Sequence, residues 1–192
     1  MKTVLFVPGY PEDMESRDYA SIIRAIKAQG YKVKFVPINW KRTTINQWAD
    51  ELEAVYNKCD PKQTIIAGFS FGAMTAFVAA TKRNPFELWL FSLSPYFAED
   101  LKSKNMKQTW LNGIGHRRVS AFSKLNFKDL SAKIECRALI FVGEIEMKKW
   151  PSMNERNNAA HKQLQNNELT IVKGVGHDVA NKHYIDAIIE LI

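Results

Sequence analysis

Short apolar runs alternate with longer stretches of helical periodicity along this chain, and that alternation is what most constrains its fold. The apolar runs predict six strands, at residues 4–7, 33–38, 64–69, 88–93, 137–142 and 169–173. Runs without polar alternation, such as residues 4–7, predict strands that are buried on both faces. Between the strands, spacings such as that of Ile185, Ile188 and Ile189 predict amphipathic helices. The alternation predicts an α/β protein, a three-layer α/β/α sandwich around a six-stranded, mostly parallel sheet.

The length of the chain predicts a single domain over residues 1–192. Its content of 46 % hydrophobic and 24 % charged residues is typical of a soluble globular protein and excludes disordered and collagen-like chains. Residues 95–135, between the fourth and fifth predicted strands, form a longer connection than a crossover needs. Two interpretations of this segment stay open: a small lid over the functional site, or an irregular surface insertion.

The formal net charge of +7 raises the question of an acidic partner. Nucleic-acid binding would need a clustered face of lysine and arginine, whereas the basic residues here come in scattered pairs. We therefore predict no nucleic-acid partner. Two of the pairs, Arg117-Arg118 and Lys148-Lys149, lie near the functional edge of the predicted sheet. They suggest the hypothesis of an anionic substrate or an acidic carrier protein.

The sequence carries no signal for a membrane, a metal or secretion. No apolar stretch approaches the roughly 18 residues of a membrane span, and the apolar run at residues 4–7 is too short for a signal peptide. Cys59 and Cys136 stand in no CxxC or Cys/His spacing, which argues against zinc and favours reduced thiols. We predict a cytoplasmic protein that needs no metal or organic cofactor and has no membrane partner.

The strongest chemical signal is Gly68-Phe69-Ser70-Phe71-Gly72, a G-x-S-x-G sequence between a predicted buried strand and a predicted helix. In that context it predicts a tight, strained turn that exposes the Ser70 hydroxyl at the end of the strand. The two glycines would let neighbouring backbone approach the turn closely. The helix N-terminus behind the serine offers free N–H groups. Ser70 is therefore the predicted nucleophile.

A serine nucleophile needs a histidine base within hydrogen-bond reach, and the predicted base is His177. His177 follows the sixth predicted strand, so it is expected at the same sheet edge as Ser70. His116 stands in a similar Gly-Ile-Gly-His sequence, but inside segment 95–135 rather than at a strand end. His161 and His183 fall within helical patterns.

An acid should orient the histidine, and two glutamates follow the fifth predicted strand in the sequence Gly-Glu-Ile-Glu. Glu146 is favoured, because two more residues carry it around the turn and into the loop. Glu144 is the alternative. The role of the acid would be to hold the imidazole tautomer and to stabilise the imidazolium.

The negatively charged oxygen of an acyl-transfer intermediate needs two preorganised donors. One is the backbone N–H of Phe71, directly after the nucleophile. The other is expected in the loop after the first strand, where Pro8 and Pro11 have no N–H. The donors left there are Gly9 and Tyr10. We predict Tyr10, with Gly9 allowing the chain to turn close to the nucleophile.

Aromatic residues on or near this sheet edge predict an apolar pocket for an acyl group. The residues predicted to line the substrate pocket are Gly9, Phe69, Tyr96, Phe97 and Trp150.

The G-x-S-x-G turn, the Gly-Glu-Ile-Glu loop and the Gly-His-Asp loop stand in the order and spacing of the α/β-hydrolases, and the chain resembles that family over nearly its whole length. The resemblance implies an α/β-hydrolase fold that lacks the first two strands, similar to that of small, capless serine hydrolases and esterases. Three features differ from the usual pattern. Pro8 stands where a histidine is frequent, the acid is a glutamate, and the bulky Phe69 and Phe71 flank the serine.

The residues and the resemblance together predict a serine hydrolase that cleaves a small-molecule carboxylic ester or thioester through an acyl-enzyme intermediate. Its catalytic residues are predicted to be Ser70, His177 and Glu146. The alternative is a non-catalytic binding module on the same scaffold, with the three residues retained but unused.

Overall fold

The computed structural model describes residues 1–13, 16 and 19–192. Six strands form one sheet in the order β2-β1-β3-β4-β5-β6. They are β1 (Thr3–Val7), β2 (Lys32–Phe35), β3 (Thr64–Phe69), β4 (Glu87–Phe91), β5 (Arg137–Gly143) and β6 (Asn167–Val172). Every strand pairing among the described residues is parallel. The prediction of a six-stranded parallel sheet is therefore confirmed.

Helices cover both faces of the sheet. The nine α-helices of the described residues are α1 (Ala20–Ala28), α2 (Ile45–Tyr56), α3 (Phe71–Arg83), α4 (Gln108–Ile114), α5 (His116–Phe122), α6 (Phe127–Ser131), α7 (Glu144–Lys149), α8 (Pro151–Gln163) and α9 (Lys182–Leu191). Helices α1 and α9 pack on one face, whereas α2 and α3 pack on the other together with residues of α5, α6 and α8. This arrangement is the predicted three-layer sandwich.

The central strands feed both layers of the core because each has an apolar side chain on both faces. In β1, Leu5 and Val7 belong to the core under α2 and α3. Val4 and Phe6 belong to the core under α1 and α9. All four side chains are fully buried, which explains why the sequence shows a continuous apolar run rather than alternation.

The strand order reverses between β1 and β3, and this reversal determines where a ligand can bind. Strand β1 pairs with β2 on one side and with β3 on the other, in a register that aligns Val7 with Gly68. Strand β3 continues the row by aligning Phe69 with Phe91 of β4. The loops after β1, β3 and β4 therefore lie side by side at the carboxyl edge, where open α/β sheets bind ligands.

Predicted boundaries differ from the structure at several strand ends, for example at β2, which ends at Phe35 rather than at residue 38. Strand β4 ends at Phe91 rather than at residue 93, because Ser92 has a φ of 52°, which strand backbone does not adopt. The Gly-Glu-Ile-Glu sequence, predicted to be a loop, instead enters α7 at Glu144. The Glu146 carboxylate accepts a hydrogen bond from the Gly143 N–H, a side-chain cap that stabilises the first turn of this short helix.

Segment 95–135 folds into short helices, namely a 3-10 turn at Asp100–Lys102 followed by α4, α5 and α6. A buried ion pair fastens its beginning to α8, with Arg156 Nη2 at 2.6 Å from Asp100 Oδ1. A second anchor is Arg118 of α5, whose guanidinium donates to the backbone carbonyls of Trp40 and Thr43. The segment is thus tied to the rest of the chain at two places.

None of the helices in the described part of the chain has the length and apolar character needed to cross a membrane.

Candidate active site

Ser70 lies at a strained turn between β3 and α3. Its backbone has φ of 58° and ψ of −117°, outside the regions that L-residues favour. The turn requires the glycines on both sides. A Cβ on Gly68 would lie 2.2 Å from the carbonyl oxygen of Gly72, and a Cβ on Gly72 would lie 2.2 Å from that of Pro8. The close backbone approach that the G-x-S-x-G sequence predicts is thus present.

His177 is held on one side by a carboxylate and on two sides by aromatic rings. Its Nδ1 lies 2.5 Å from Glu146 Oε2. The Phe69 ring lies 4.6 Å from the imidazole, centroid to centroid, and the Trp150 ring lies 5.6 Å from it, nearly edge-on. With Nδ1 facing a carboxylate, Nε2 is the nitrogen left to exchange a proton with a substrate or nucleophile.

Glu146 is 1 % exposed, and its negative charge is met by hydrogen-bond donors. Besides His177, Ser92 donates to Oε1 at 2.6 Å, and the Gly143 N–H donates to the same oxygen at 2.8 Å. Such a set of donors is what allows a carboxylate to be buried. It also fixes the orientation of the carboxylate toward the imidazole.

Tyr184 of α9 contacts Ser92, one of the donors to Glu146. Its hydroxyl donates to the Phe141 carbonyl oxygen at 2.9 Å and lies 3.0 Å from Ser92 Oγ. Complete burial, with the nearby negative charge of Glu146, raises the pKa of Tyr184 well above its usual value. The phenol therefore stays protonated and keeps donating over the whole neutral range.

Glu144, the alternative acid, has partners other than His177. Its side chain is about one-third exposed, pairs with Lys148 at 2.6 Å, and accepts a hydrogen bond from the Gly174 N–H. The hydrogen bond from Lys148 is the main cause that lowers the pKa of Glu144. Of the two glutamates, the structure thus brings Glu146 to His177 and leaves Glu144 at the surface.

The Ser70 hydroxyl is hydrogen-bonded to another serine. Ser70 Oγ lies 3.1 Å from Ser94 Oγ, in the loop after β4. Ser70 and His177 line the same cavity, but no hydrogen bond joins them within the described residues. Hydrogen bonds of this kind are often long in the absence of substrate and tighten when it binds.

A cavity of about 330 Å³ opens above Ser70. Ser70, Ser94 and His177 bring polar side chains to it, and the remaining wall is mostly aromatic and apolar. The lining residues are Tyr10, Ser70, Phe71, Ser94, Pro95, Tyr96, Trp110, Gly113, Ile114, Trp150, Met153 and His177. Burial raises the pKa of Tyr96 to about 12, so this wall residue stays uncharged at neutral pH. The size and lining are typical of a site for a small apolar group.

The structure puts three of the five predicted pocket residues elsewhere, since Tyr96 and Trp150 line the cavity but Gly9, Phe69 and Phe97 do not. Phe97 is fully buried in the core between Phe77 and Phe127. Phe69 points its ring at His177 instead of the cavity. Sequence position indicates which residues lie near the sheet edge, but not on which side of the loop each ring packs.

The two predicted backbone donors both belong to residues that line the cavity, Tyr10 and Phe71. The Gly9 N–H, the other donor in the first loop, is taken by the Tyr19 hydroxyl at 2.6 Å. No partner of the Tyr10 or Phe71 N–H is found in the ranges that the structure covers. Tyr10 and Phe71 thus have amides left for a ligand, as the prediction requires.

The remaining histidines lie outside this arrangement. His116 is exposed at the first turn of α5, His161 on α8 bonds to Asn167 through Nδ1, and His183 is exposed on α9. No group of three or more His, Cys, Asp or Glu residues suited to a metal ion occurs in residues 1–13, 16 and 19–192.

Several residues of the site were not predicted from the sequence. Ser92 and Ser94 directly follow a strand at the carboxyl edge, which is a signal that sequence inspection could have used. Tyr184, Trp110 and Met153 reach the site from helices distant in sequence, and no local pattern marks them.

Comparison with known proteins gives matches in structure but not in sequence. No family model and no curated protein matches the chain. Est1E from Butyrivibrio proteoclasticus, solved with ferulic acid bound, has a TM-score of 0.78 at 16 % identity, over 99 % of this chain and 86 % of that one. The esterase EaEST from Exiguobacterium antarcticum has a TM-score of 0.73 at 15 % identity, over 99 % of this chain and 91 % of that one.

A third similar structure is MGS-MChE2, an α/β-hydrolase enzyme from the metagenome of sediments from the lagoon of Mar Chica, Morocco. It has a TM-score of 0.74 at 15 % identity, over 99 % of this chain and 88 % of that one. The chain therefore has the α/β-hydrolase fold, as the resemblance of its motifs predicted.

Proposed function

We propose that this protein is a serine hydrolase that cleaves carboxylic esters or thioesters through Ser70, His177 and Glu146. One observation carries the proposal. A histidine whose Nδ1 is held at 2.5 Å by a buried carboxylate shares a cavity with a serine on a strained strand-to-helix turn. The named esterases among the structures of the same fold give further support.

In the first half of the proposed reaction, Ser70 Oγ attacks the acyl carbon while its proton passes to His177 Nε2. The Glu146 carboxylate keeps the Nδ1–H in place and stabilises the imidazolium that forms. The leaving alcohol or thiol then takes the proton from Nε2. Water repeats these steps on the acyl-enzyme and releases the acid.

The proposed stabilisers of the tetrahedral intermediate are the N–H groups of Tyr10 and Phe71. Both amides are without a partner in the described part of the chain, and the Phe71 N–H stands at the N-terminus of α3, where the helix dipole favours negative charge. Such donors are typically worth about 10²- to 10³-fold in kcat each.

The proposed substrate has a compact apolar or aromatic acyl group. The cavity volume of about 330 Å³ and its aromatic wall favour such a group over a long chain. The Est1E structure, which holds ferulic acid, an aromatic carboxylic acid, is consistent with this substrate class. We further propose that segment 95–135 acts as a small cover, because Trp110, Gly113 and Ile114 of α4 form one wall of the cavity.

A separate proposal concerns the charge of the substrate, which would be an anionic molecule or an acidic carrier protein. Of the four basic residues near the site, Arg117 and Arg118 donate to backbone carbonyls and Lys148 pairs with Glu144. Lys149 lies 5.3 Å from the ring centroid of Trp150 at the cavity. A decrease of kcat/KM with ionic strength for an anionic ester, but not for its neutral analogue, would support this attraction, and equal responses would contradict it.

The test of the proposed function is covalent labelling followed by hydrolysis. The wild-type protein should react with a fluorophosphonate probe at Ser70, as located by peptide mass spectrometry, and should hydrolyse short p-nitrophenyl esters. Ser70→Ala should abolish both. Ser123→Ala, which removes an exposed hydroxyl at the C-terminal end of α5, is the matched control and should change neither.

A folded wild-type protein that neither labels nor hydrolyses any ester or thioester in a graded panel would contradict the proposal. That result would support the alternative, a binding module that retains the three residues without using them. Comparing oxygen esters with thioesters of the same acyl group decides between carboxylesterase and thioesterase.

A further inference from the structure

Hydroxyl groups of the loop after β4 contact both ends of the proposed triad. Ser92 donates to Glu146, and Ser94 shares a hydrogen bond of 3.1 Å with Ser70. Leu93, between the two serines, is fully buried in the core under α2 and α3. Ser92 supports the acid, whereas Ser94 has no role in the reaction steps of the proposed triad.

Ser94 is only 4 % exposed and forms part of the cavity wall. In the portion of the chain that the structure describes, Ser70 is the hydrogen-bond partner of its hydroxyl. A buried hydroxyl normally keeps a partner, because leaving it unpaired costs about 1–3 kcal/mol. The two hydroxyls are thus paired at the atom where the proposed reaction begins.

The direction of this hydrogen bond matters for the reaction. Either hydroxyl can be the donor at 3.1 Å. When Ser70 donates to Ser94, its hydrogen is not available to His177. When Ser94 donates instead, the Ser70 hydrogen is free to pass to Nε2, and Ser70 Oγ keeps a donor as it becomes negative.

We infer that Ser94 is a further catalytic residue, whose hydroxyl donates a hydrogen bond to Ser70 Oγ while Ser70 loses its proton; this inference rests on the proposed function. In that step the Ser70 O–H bond breaks and the proton goes to His177 Nε2. Oγ forms a bond to the acyl carbon, and the carbonyl electron pair moves to the carbonyl oxygen. The Ser94 O–H bond stays intact throughout.

The same donor acts again when the acyl-enzyme is hydrolysed. The bond between the acyl carbon and Ser70 Oγ then breaks, Oγ leaves with the electron pair, and His177 returns the proton. Because Ser94 stabilises Oγ in both transition states, its loss should lower kcat and kcat/KM together and leave KM nearly unchanged. A residue that only filled the cavity wall would instead change KM.

The experiment compares Ser94→Thr with Ser94→Val, two substitutions of the same shape that differ in the hydroxyl. Both are measured for the rate of fluorophosphonate labelling at Ser70, for kcat and KM on a p-nitrophenyl ester, and for melting temperature. We expect labelling and kcat of Ser94→Val to be about 10- to 100-fold below those of Ser94→Thr. Ser94→Ala provides a smaller variant in case the added methyl group disturbs the fold.

The outcomes separate this inference from the proposed function. No labelling of the wild-type protein at Ser70 contradicts the proposed function itself. Normal labelling of the wild type, with equal rates in the Thr and Val variants, overturns the role of Ser94 alone. A faster rate without the hydroxyl also overturns it, because Ser94 would then be restraining Ser70 rather than assisting it.

Discussion

Glu146, at the acid end of the proposed triad, and Ser70, at its nucleophile end, lie in contrasting surroundings. Glu146 is 1 % exposed, and both carboxylate oxygens accept hydrogen bonds from groups on β5, the loop after β4 and the loop after β6. Ser70 is half-buried and has a φ of 58°. Its hydroxyl is hydrogen-bonded to that of Ser94 at the floor of an open cavity. The acid end is enclosed, whereas the nucleophile end faces a space for substrate.

The comparison shows two ways of fixing a side chain for chemistry. At the acid end, burial and several hydrogen bonds leave the carboxylate a single orientation. At the nucleophile end, the backbone itself is fixed, by a turn that only glycines on either side of Ser70 allow. A nucleophile cannot be enclosed as the acid is, because the substrate must reach it.

The largest effect at the acid end is expected from Glu146→Gln, which removes the charge there. The amide cannot stabilise an imidazolium and favours the wrong tautomer of His177, so kcat should fall by about 10³-fold or more. Glu144→Gln is the matched control and should stay within about twofold, because Glu144 contacts Lys148 and the Gly174 N–H at the surface. Steady-state kinetics on a p-nitrophenyl ester measure both variants.

The reverse pattern, with Glu144→Gln inactive and Glu146→Gln active, would show that the surface glutamate is the acid in solution. Melting temperatures of both variants establish that lost activity does not reflect lost folding.

These two glutamates also show how far the sequence could predict the site. Continuous apolar runs identify buried strands from local sequence alone. The order of those strands predicted which edge of the sheet holds the site, and it reduced the candidate acids to Glu144 and Glu146. Glu146 was favoured on the assumption that both glutamates lie in a loop, whereas they lie on the short helix α7. Two residues span about 200° around a helix axis, so one carboxylate is buried while the other faces solvent.

The walls of the cavity could not be predicted in the same way. Trp110 and Met153 reach it from α4 and α8, and their positions depend on contacts such as the buried Asp100–Arg156 pair rather than on local periodicity. Phe97 is the opposite case, a residue predicted to line the pocket that does not. It follows a strand end in the sequence, but its ring packs into the core. Such choices depend on long-range packing, which a single sequence does not record.

The second prediction concerns alanine substitutions at two glycines, one at the nucleophile end and one at the acid end, where neighbouring backbone approaches closely. A Cβ on Gly72 would meet the Pro8 carbonyl oxygen at 2.2 Å, and a Cβ on Gly143 would meet the Val175 carbonyl oxygen at 2.4 Å. Backbone cannot yield as a flexible side chain does. Gly72→Ala and Gly143→Ala should therefore each lower the free energy of unfolding by about 3 kcal/mol or more in urea denaturation.

Gly113→Ala is the control for these substitutions. Gly113 lies in α4, and a Cβ there would meet nothing within 4 Å. Alanine should stabilise that helix by roughly 0.5–1 kcal/mol. A destabilisation of less than about 1 kcal/mol at Gly72 would mean that the turn relaxes more easily than the contacts indicate.

The third prediction concerns substitutions that remove hydrogen-bonding groups around Glu146 but leave its charge in place. Ser92→Ala deletes one of the donors to Glu146 and should lower kcat about tenfold, the value of one hydrogen bond to a charged group. Tyr184→Phe deletes a hydroxyl one step further away and should cost about threefold or less. Because burial keeps the pKa of Tyr184 high, the ratio of wild-type to Tyr184→Phe activity should not change between neutral and mildly alkaline pH.

An equal or larger loss in Tyr184→Phe would contradict this order. It would mean that the phenol holds Ser92 and the Phe141 carbonyl in place more strongly than Ser92 holds the carboxylate. Kinetics over pH, with melting temperatures as the folding control, decide between the two.

The smallest effect on kcat is expected at the open end of the cavity. Trp110 lines the cavity and contacts Trp150 edge-on at 6.2 Å, so Trp110→Ala should raise KM by roughly threefold to tenfold with kcat nearly unchanged. Trp150→Ala is the informative partner, because the Trp150 ring also packs 5.6 Å from His177. It should lower kcat as well as raise KM, since a looser imidazole is a poorer base. Equal kcat values for the two variants would mean that Glu146 alone positions His177, and the acid end would then be sufficient without its aromatic support.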